Sequence, residues 1–225
     1  MSTTAFSTTP TTDRPWVHEM VIVHRAFRRE FRLLPPLLRA VPDGNRARAG
    51  VLAGALRLVL GGLHHHHTGE DDILWPALLE RAAPSTGLVE TMQSQHARVE
   101  QLIDELGPLL GAWESAPTRE RGAVLADVID RLADALCEHL DLEEREILPL
   151  VLRHVSVEEW NSLGEHGLEE MDQASLPIIF GAILEECTPA ERRAMLAKHP
   201  LPVRLLLRTV GAVQYRRYVR RVRGS

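Results

Sequence analysis

From Trp16 to Leu34 the apolar residues Val17, Met20, Val21, Phe27, Phe31 and Leu34 recur mostly three and four positions apart, with His24 in phase among them. That period predicts a helix, which Pro35-Pro36 should stop. After the Pro42-Asp43-Gly44 turn, Arg46 to Glu80 reads as a second long helix, weakened at Gly61-Gly62 and bent near Pro76. Ser85-Thr86, just past Pro84, can cap a third helix carrying Leu88, Met92, His96, Val99, Leu102, Ile103 and Leu106 and ending near Trp113, ahead of Pro117. Thr118 can serve as N-cap of a fourth helix running to about Arg153. Four long helices joined by short turns predict an all-α chain built on an antiparallel up-down four-helix bundle. Beyond Val155 the apolar groups shorten, separated by Gly164, Gly167, Pro177, Pro189, Pro200 and Pro202, so a small helical appendage is expected at 156–225. The Ser- and Thr-rich stretch 1–13 has neither the basic start nor the apolar core of a leader and reads as a disordered tail. The bundle domain is then 14–155.

Composition narrows the chemistry. At 225 residues the chain has room for one domain of ordinary size plus an appendage. Apolar residues make up 44% and aromatics only 4%, so Leu, Ala and Val must fill the interior, which favours helix packing over a sandwich. A formal net charge of -5 gives no global basic field to hold nucleic acid. The Arg-rich end from Tyr215 to Arg223 reads as a solvated helix terminus that complements the macrodipole. The two cysteines, Cys137 and Cys187, are far apart and form no C-x-x-C pair, which suggests reduced thiols. The most apolar segments, Ala49 to Leu63 and Leu176 to Leu184, are too short to span a bilayer. The expectation is a cytoplasmic protein with neither nucleic acid nor membrane as partner; oligomeric state stays open.

Eleven His residues are the unusual count. One phrase occurs twice: His66-x-x-x-Glu70 followed by Pro76, and His139-x-x-x-Glu143 followed by Pro149, with ten residues from His to Pro in both. An i,i+4 spacing puts both side chains on one helix face, one turn apart, so each pair can converge on one metal. Each phrase has a lone His on the helix before it: His24 lies 42 residues ahead of His66, and His96 lies 43 ahead of His139. Two similar hairpins related by a pseudo-two-fold would aim all four His at a common centre. Glu100, one turn after His96, is a further candidate, whereas His24 is followed at that distance by Arg28. Imidazole with carboxylate suits iron, manganese or zinc, and this many donors suits a dinuclear site. Buried carboxylates facing one another would repel without cations between them. Within the run His64 to His67 the Glu-to-Pro alignment selects His66, leaving His65 and His67 pointing away. Asp71, Asp72, Glu144 and Glu146 read as solvated neighbours, and His18, His154, His166 and His199 as core or rim residues.

On these residues the chain resembles the hemerythrin-like (HHE cation-binding) family over roughly residues 16 to 153. That family's pattern is a lone His, a His-x-x-x-Glu, a lone His and a second His-x-x-x-Glu on four antiparallel helices. The likeness is to members with a C-terminal extension, as in actinobacteria. It implies iron ligands at His24, His66, Glu70, His96, His139 and Glu143, with Glu70 and Glu143 bridging two iron ions that are oxo- or hydroxo-bridged. The small ligand it implies is hydrogen peroxide, dioxygen or nitric oxide. Oxygen-carrying hemerythrins have a second His where this chain has Glu100. An anionic ligand there would stabilise ferric iron, shifting the expectation from reversible oxygen carriage towards catalase-like peroxide decomposition; a sensing or oxygen-binding module without turnover is the alternative. Competing motifs are absent: no His has Glu three residues before it, and there is no His-Glu-x-x-His, nucleophile elbow, phosphate loop or dinucleotide fingerprint. Tyr215 and Tyr218 are expected to pack at a helix end.

Overall fold

A computed structural model describes residues 6–82, 86–169 and 171–224; among them every regular element is helical. The first two thirds comprise α1 (His18–Arg39), α2 (Arg46–Gly69), α3 (Trp75–Arg81), α4 (Thr86–Ser115), α5 (Arg119–Leu142) and α6 (Leu148–His154). Two of the predicted long helices are thus divided. A single π-helical turn, Glu70–Leu74, joins α2 to α3, and a second, Glu143–Ile147, joins α5 to α6. Each turn starts on the Glu of a His-x-x-x-Glu phrase and ends just before the matched proline. Pro76 and Pro149 lack an N–H and their rings would strike the carbonyl four residues back. The chain instead takes one wider turn, the N–H groups of Trp75 and Leu148 reaching the carbonyls of Glu70 and Glu143. The expected bend at Pro76 is therefore an inserted residue within a continuous rod.

Helix α1 does not stop at Pro35-Pro36 but continues to Arg39. The expected break costs about 3 kcal/mol in a helix interior. Here it is offset because the last turns bury Leu34 and Leu38 completely, each worth about 1.5–3 kcal/mol, and carry Arg39 to Asp127 and Asp130, 2.6 Å from each. Gly61-Gly62 leaves α2 unbroken. Asn45 accepts from the N–H of Arg48 to cap α2, and Thr118 accepts from that of Arg121 to cap α5, as predicted for Thr118. Ser85 lies outside the described residues.

The four rods pack α1 against α5 and α2, and α4 against α5 and α2. Ion pairs show the directions. Arg28 meets Asp141 and Glu144 while Arg39 meets Asp127 and Asp130; Arg98 meets Glu138 while Arg131 meets Glu105. Numbers rise on one helix as they fall on the other. Such exposed pairs contribute about 0–1 kcal/mol each, so they settle register while the core holds the rods together. That core divides above and below the His-rich layer. One part runs through Phe31, Leu34, Leu52, Leu56, Leu106, Trp113, Ile129 and Leu132; the other holds Trp75, Leu78, Met92, Ile147, Leu148 and Trp160.

The extension forms α7 (Val157–Glu169), α8 (Leu176–Glu185), α9 (Pro189–Ala197), α10 (Leu201–Leu206), a third π turn at Leu207–Gly211, and α11 (Ala212–Arg223). It is folded onto the bundle: α7 lies on α2, α8 on α1, and α11 on α8 and α2. Buried Glu191 on α9 binds His18 at 2.5 Å and Arg25 at 3.1 Å, both on α1. Arg223 reaches Glu30 and Glu185, and Tyr215 donates to Glu185, so the Arg-rich end is partly built into the fold. Residues 6–13 form no helix, yet Phe6 packs on the second core and the Trp16 indole donates to the Ser7 carbonyl at 3.0 Å. No helix among the described residues is long and apolar enough to cross a membrane.

Candidate metal centre

At mid-height the rods bring His24 from α1, His66 and His67 from α2, Glu70 and Glu143 from the two π turns, His96 from α4 and His139 from α5 into one buried layer. They fall into two groups. In each, the donor atoms lie within 4.8 Å of one another: His24, His66, Glu70 and Glu143 in the first, and His67, His96 and His139 in the second. The carboxylates lie between the groups, Glu70 being 3.3 Å from His66 and 3.2 Å from His96, and Glu143 being 3.3 Å from His24 and 3.8 Å from His139.

Each lone His faces a carboxylate at both ring nitrogens, and in the same way twice over. His24 turns Nε2 to Glu143 and Nδ1 to Glu144 at 2.9 Å; His96 turns Nε2 to Glu70 and Nδ1 to Asp71 at 2.9 Å. Glu144 is steadied in turn by Arg28 at 2.7 Å. The carboxylate at Nδ1 fixes the tautomer that leaves the Nε2 lone pair aimed inward, the usual support of a ligating imidazole. His139 receives the same service from Gln95, 3.3 Å from its Nδ1. Asp71, its side chain 45% exposed as expected, and the half-buried Glu144 thus both reach the site from its edge. Their signal was present in the sequence as an acid immediately after each repeated Glu. Asp72 and Glu146 do lie at the surface.

Two further expectations are corrected. His67 was to point away; it is buried, stacks on His96 with ring centroids 4.0 Å apart, and sits 5.1 Å from His139. Adjacent helical residues diverge by about 100°, and α2 has a neighbour on either side. His66 therefore leans towards α1, 5.3 Å from His24, while His67 leans towards α4. Glu100 was a candidate ligand; its side chain is 44% exposed and lies 3.7 Å from His64, outside both groups. Glu100 instead sits on the side of α4 that faces the exposed His64. The ferric preference argued from Glu100 loses its basis. His65 lines a neighbouring cavity. His18 binds Glu191, His199 packs edge-on to Phe180, and His166 lies 3.6 Å from Asp72.

The polar atoms of this layer lack enough partners. His24, His66 and His67 each leave a buried Nε2 without a hydrogen bond, and all four carboxylate oxygens of Glu70 and Glu143 are likewise buried and unpaired. Buried polar groups are ordinarily satisfied, so seven orphans converging in one layer call for an occupant that accepts their lone pairs. The charges agree. Burial and the nearby Glu143 raise the pKa of Glu70, while burial of Glu143 is outweighed by His24, which lowers it. Burial of His24 is outweighed by Glu143 and Glu144, raising it to about 9, and burial of His96 by Asp71 and Glu70, raising it also to about 9. Burial followed by the neighbouring His side chains pushes His66 down to about 3 and His139 to about 2, and holds His67 well below its ordinary value. Protons on His24 and His96 thus offset carboxylates that a cation would offset instead. Neutral imidazoles and carboxylates at these spacings are a donor set for first-row metal ions.

Residues 17–151 match the hemerythrin HHE cation binding domain. The chain belongs to this hemerythrin family. An uncharacterized protein of Dictyostelium discoideum is 23% identical over 175 residues, covering 73% of this chain and 68% of its own length. No solved structure matches. The hemerythrin domain includes both His-x-x-x-Glu phrases and both lone His residues, and its cation-binding character coincides with the layer of unpaired donors.

Proposed function

We propose that the chain holds two iron ions in a hemerythrin-type four-helix bundle and that the pair reacts with a small oxidant, hydrogen peroxide, dioxygen or nitric oxide, with peroxide decomposition as the leading reaction. The convergence of seven buried donor atoms without hydrogen bonds carries the metal-binding part of this reading. In this reading His24, His66, Glu70 and Glu143 would hold one ion, and His67, His96 and His139, with the same two carboxylates at hand, the other. When bound, iron would supply the redox and Lewis-acid chemistry. The protein's own part is to fix imidazole tautomers through Asp71, Glu144 and Gln95, to keep bulk water out with the apolar layers above and below, and to leave the two-His side with fewer imidazoles than the three-His side.

A second reading, oxygen binding without turnover, is favoured by one observation: the fifth donor His is the neutral His67 where an anionic Glu100 was expected. Metal analysis of protein made in iron-replete medium, followed by peroxide consumption assays, separates the two. Two irons per chain and turnover that disappears in Glu143→Ala support the enzyme. Two irons with negligible turnover leave the binding module, and stoichiometric zinc or metal-free protein overturns both.

A further inference from the structure

Between the bundle and the extension lies a cavity of about 600 Å³ walled by α1 and α2 on one side and α7, α8, α9 and α11 on the other. Its inner wall is Phe27, Leu58, Val59 and His66, and its outer wall is the apolar run on α8; the exposed Gly164, Glu165 and Lys198 mark its mouth. Three observations point to an occupant. Ile178, Ile179, Phe180 and Ile183 on α8 all border the void and stay only half-buried, although such a run would ordinarily close on a core. The size is that of a small-molecule site. And His66, whose side chain is 10% exposed, is a wall of this cavity, whereas Glu70, Glu143, His24 and His139 have fully buried side chains.

The charges in the lining indicate what fits. The Glu30 carboxylate is bound by Arg29 at 2.8 Å and Arg223 at 3.0 Å, and the Lys198 ammonium by Glu19 at 2.6 Å. Burial holds His199 below its ordinary pKa, so it is neutral. With the charges inside the cavity already paired and Glu165 out at the exposed mouth, a ligand whose charge lies inside would have to break one of the pairs, while a neutral one loses nothing. We propose that this cavity binds a neutral lipophilic molecule, a long-chain alcohol or a compound of like shape, with its inner end against His66. Only the consequence of that last contact, control of access to the two-His side of the metal centre, rests on the function proposed above.

The test is a fluorescence titration of the full chain, iron-free and iron-loaded, with the neutral dye N-phenyl-1-naphthylamine. Saturable binding of one dye per chain is expected in both forms, displaced by 1-dodecanol at least tenfold more effectively than by dodecanoate or dodecylamine. Ala182→Trp and Ile179→Trp, which fill the outer wall, should each weaken binding at least tenfold with iron content unchanged. A diazirine-bearing dodecanol should label Phe27, Val59 or Ile179. Absence of saturable binding, equal displacement by dodecanoate, or labelling confined to the exposed apolar residues Leu201–Val213 would overturn the proposal. Failure of the metal reading would appear separately, in the iron content, and would leave the dye titration as it is.

Discussion

At the scale of single residues, the proposed two-ion occupancy turns on the pair His66 and His67. His67 completes the three-His group, and neither Glu100 nor His64 reaches inward to replace it. His67→Ala is expected to lower bound iron from two per chain to one, whereas His65→Ala should leave both, as measured by metal analysis on folded protein. The acids behind the lone histidines make a second prediction. Asp71→Asn and Glu144→Gln keep the shape but weaken the hold on His96 and His24, and loss of such support typically costs 10- to 100-fold in metal affinity. Competition with a chelator should show each variant losing iron at correspondingly lower chelator concentration. Asp72→Asn, at the surface, should behave as wild type.

At the scale of elements, the two π turns are what let a helix carry two consecutive acids into one site. In a regular helix the Glu and the acid after it would diverge. With the extra residue, Glu70 stays in the layer and Asp71 still reaches across to His96, and the second rod repeats this with Glu143, Glu144 and His24. The crossing of α8 and α11 is close at Gly181. A Cβ on Gly181 would collide with Cγ and Cβ of Tyr215, so Gly181→Ala must push the helices apart. We expect a loss of about 1–3 kcal/mol, as for other overpacked contacts, read from urea denaturation. Gly54→Ala is the matched control: it is exposed in mid-helix with nothing within 4 Å of the added methyl, and should stabilise by about 0.5–1 kcal/mol.

At the scale of the whole molecule, the extension is tied to the bundle by a buried acid. Glu191 loses solvation on burial, but His18, the Thr188 N–H and hydroxyl, and Arg25 outweigh this and bring its pKa from 4.5 down to about 2. A group with a lowered folded pKa stabilises the fold above its unfolded value and loses that contribution as pH falls through the folded one. Docking of the extension should therefore hold above pH 4.5 and weaken progressively towards pH 2, by an amount on the order of 3 kcal/mol in total. Glu191→Gln should be less stable than wild type near neutrality, and the difference should vanish at the acid end; urea midpoints across that window check it.

Much of this was legible in the chain. The 3.6-residue period placed the rods, because burying one helical stripe needs only the right residue types at the right spacing. The doubled His-x-x-x-Glu phrase indicated four of the seven side chains that converge in the layer, since i,i+4 spacing is a property of the helix alone, and the matched spacing of the lone His24 and His96 indicated two more. The rest depended on neighbours. Whether His67 faces in and Glu100 faces out depends on which helices flank α2 and α4. Whether Pro35-Pro36 ends a helix depends on what Leu38 and Arg39 meet beyond it. The role of Asp71 and Glu144 required the rods to be brought within 3 Å of His96 and His24. The sequence by itself determined the helices, their phase and the metal-binding family; tertiary packing decided the last donor, the acids that support the others and the apolar cavity. These latter features arise from contacts between segments distant in the chain, which no local periodicity encodes.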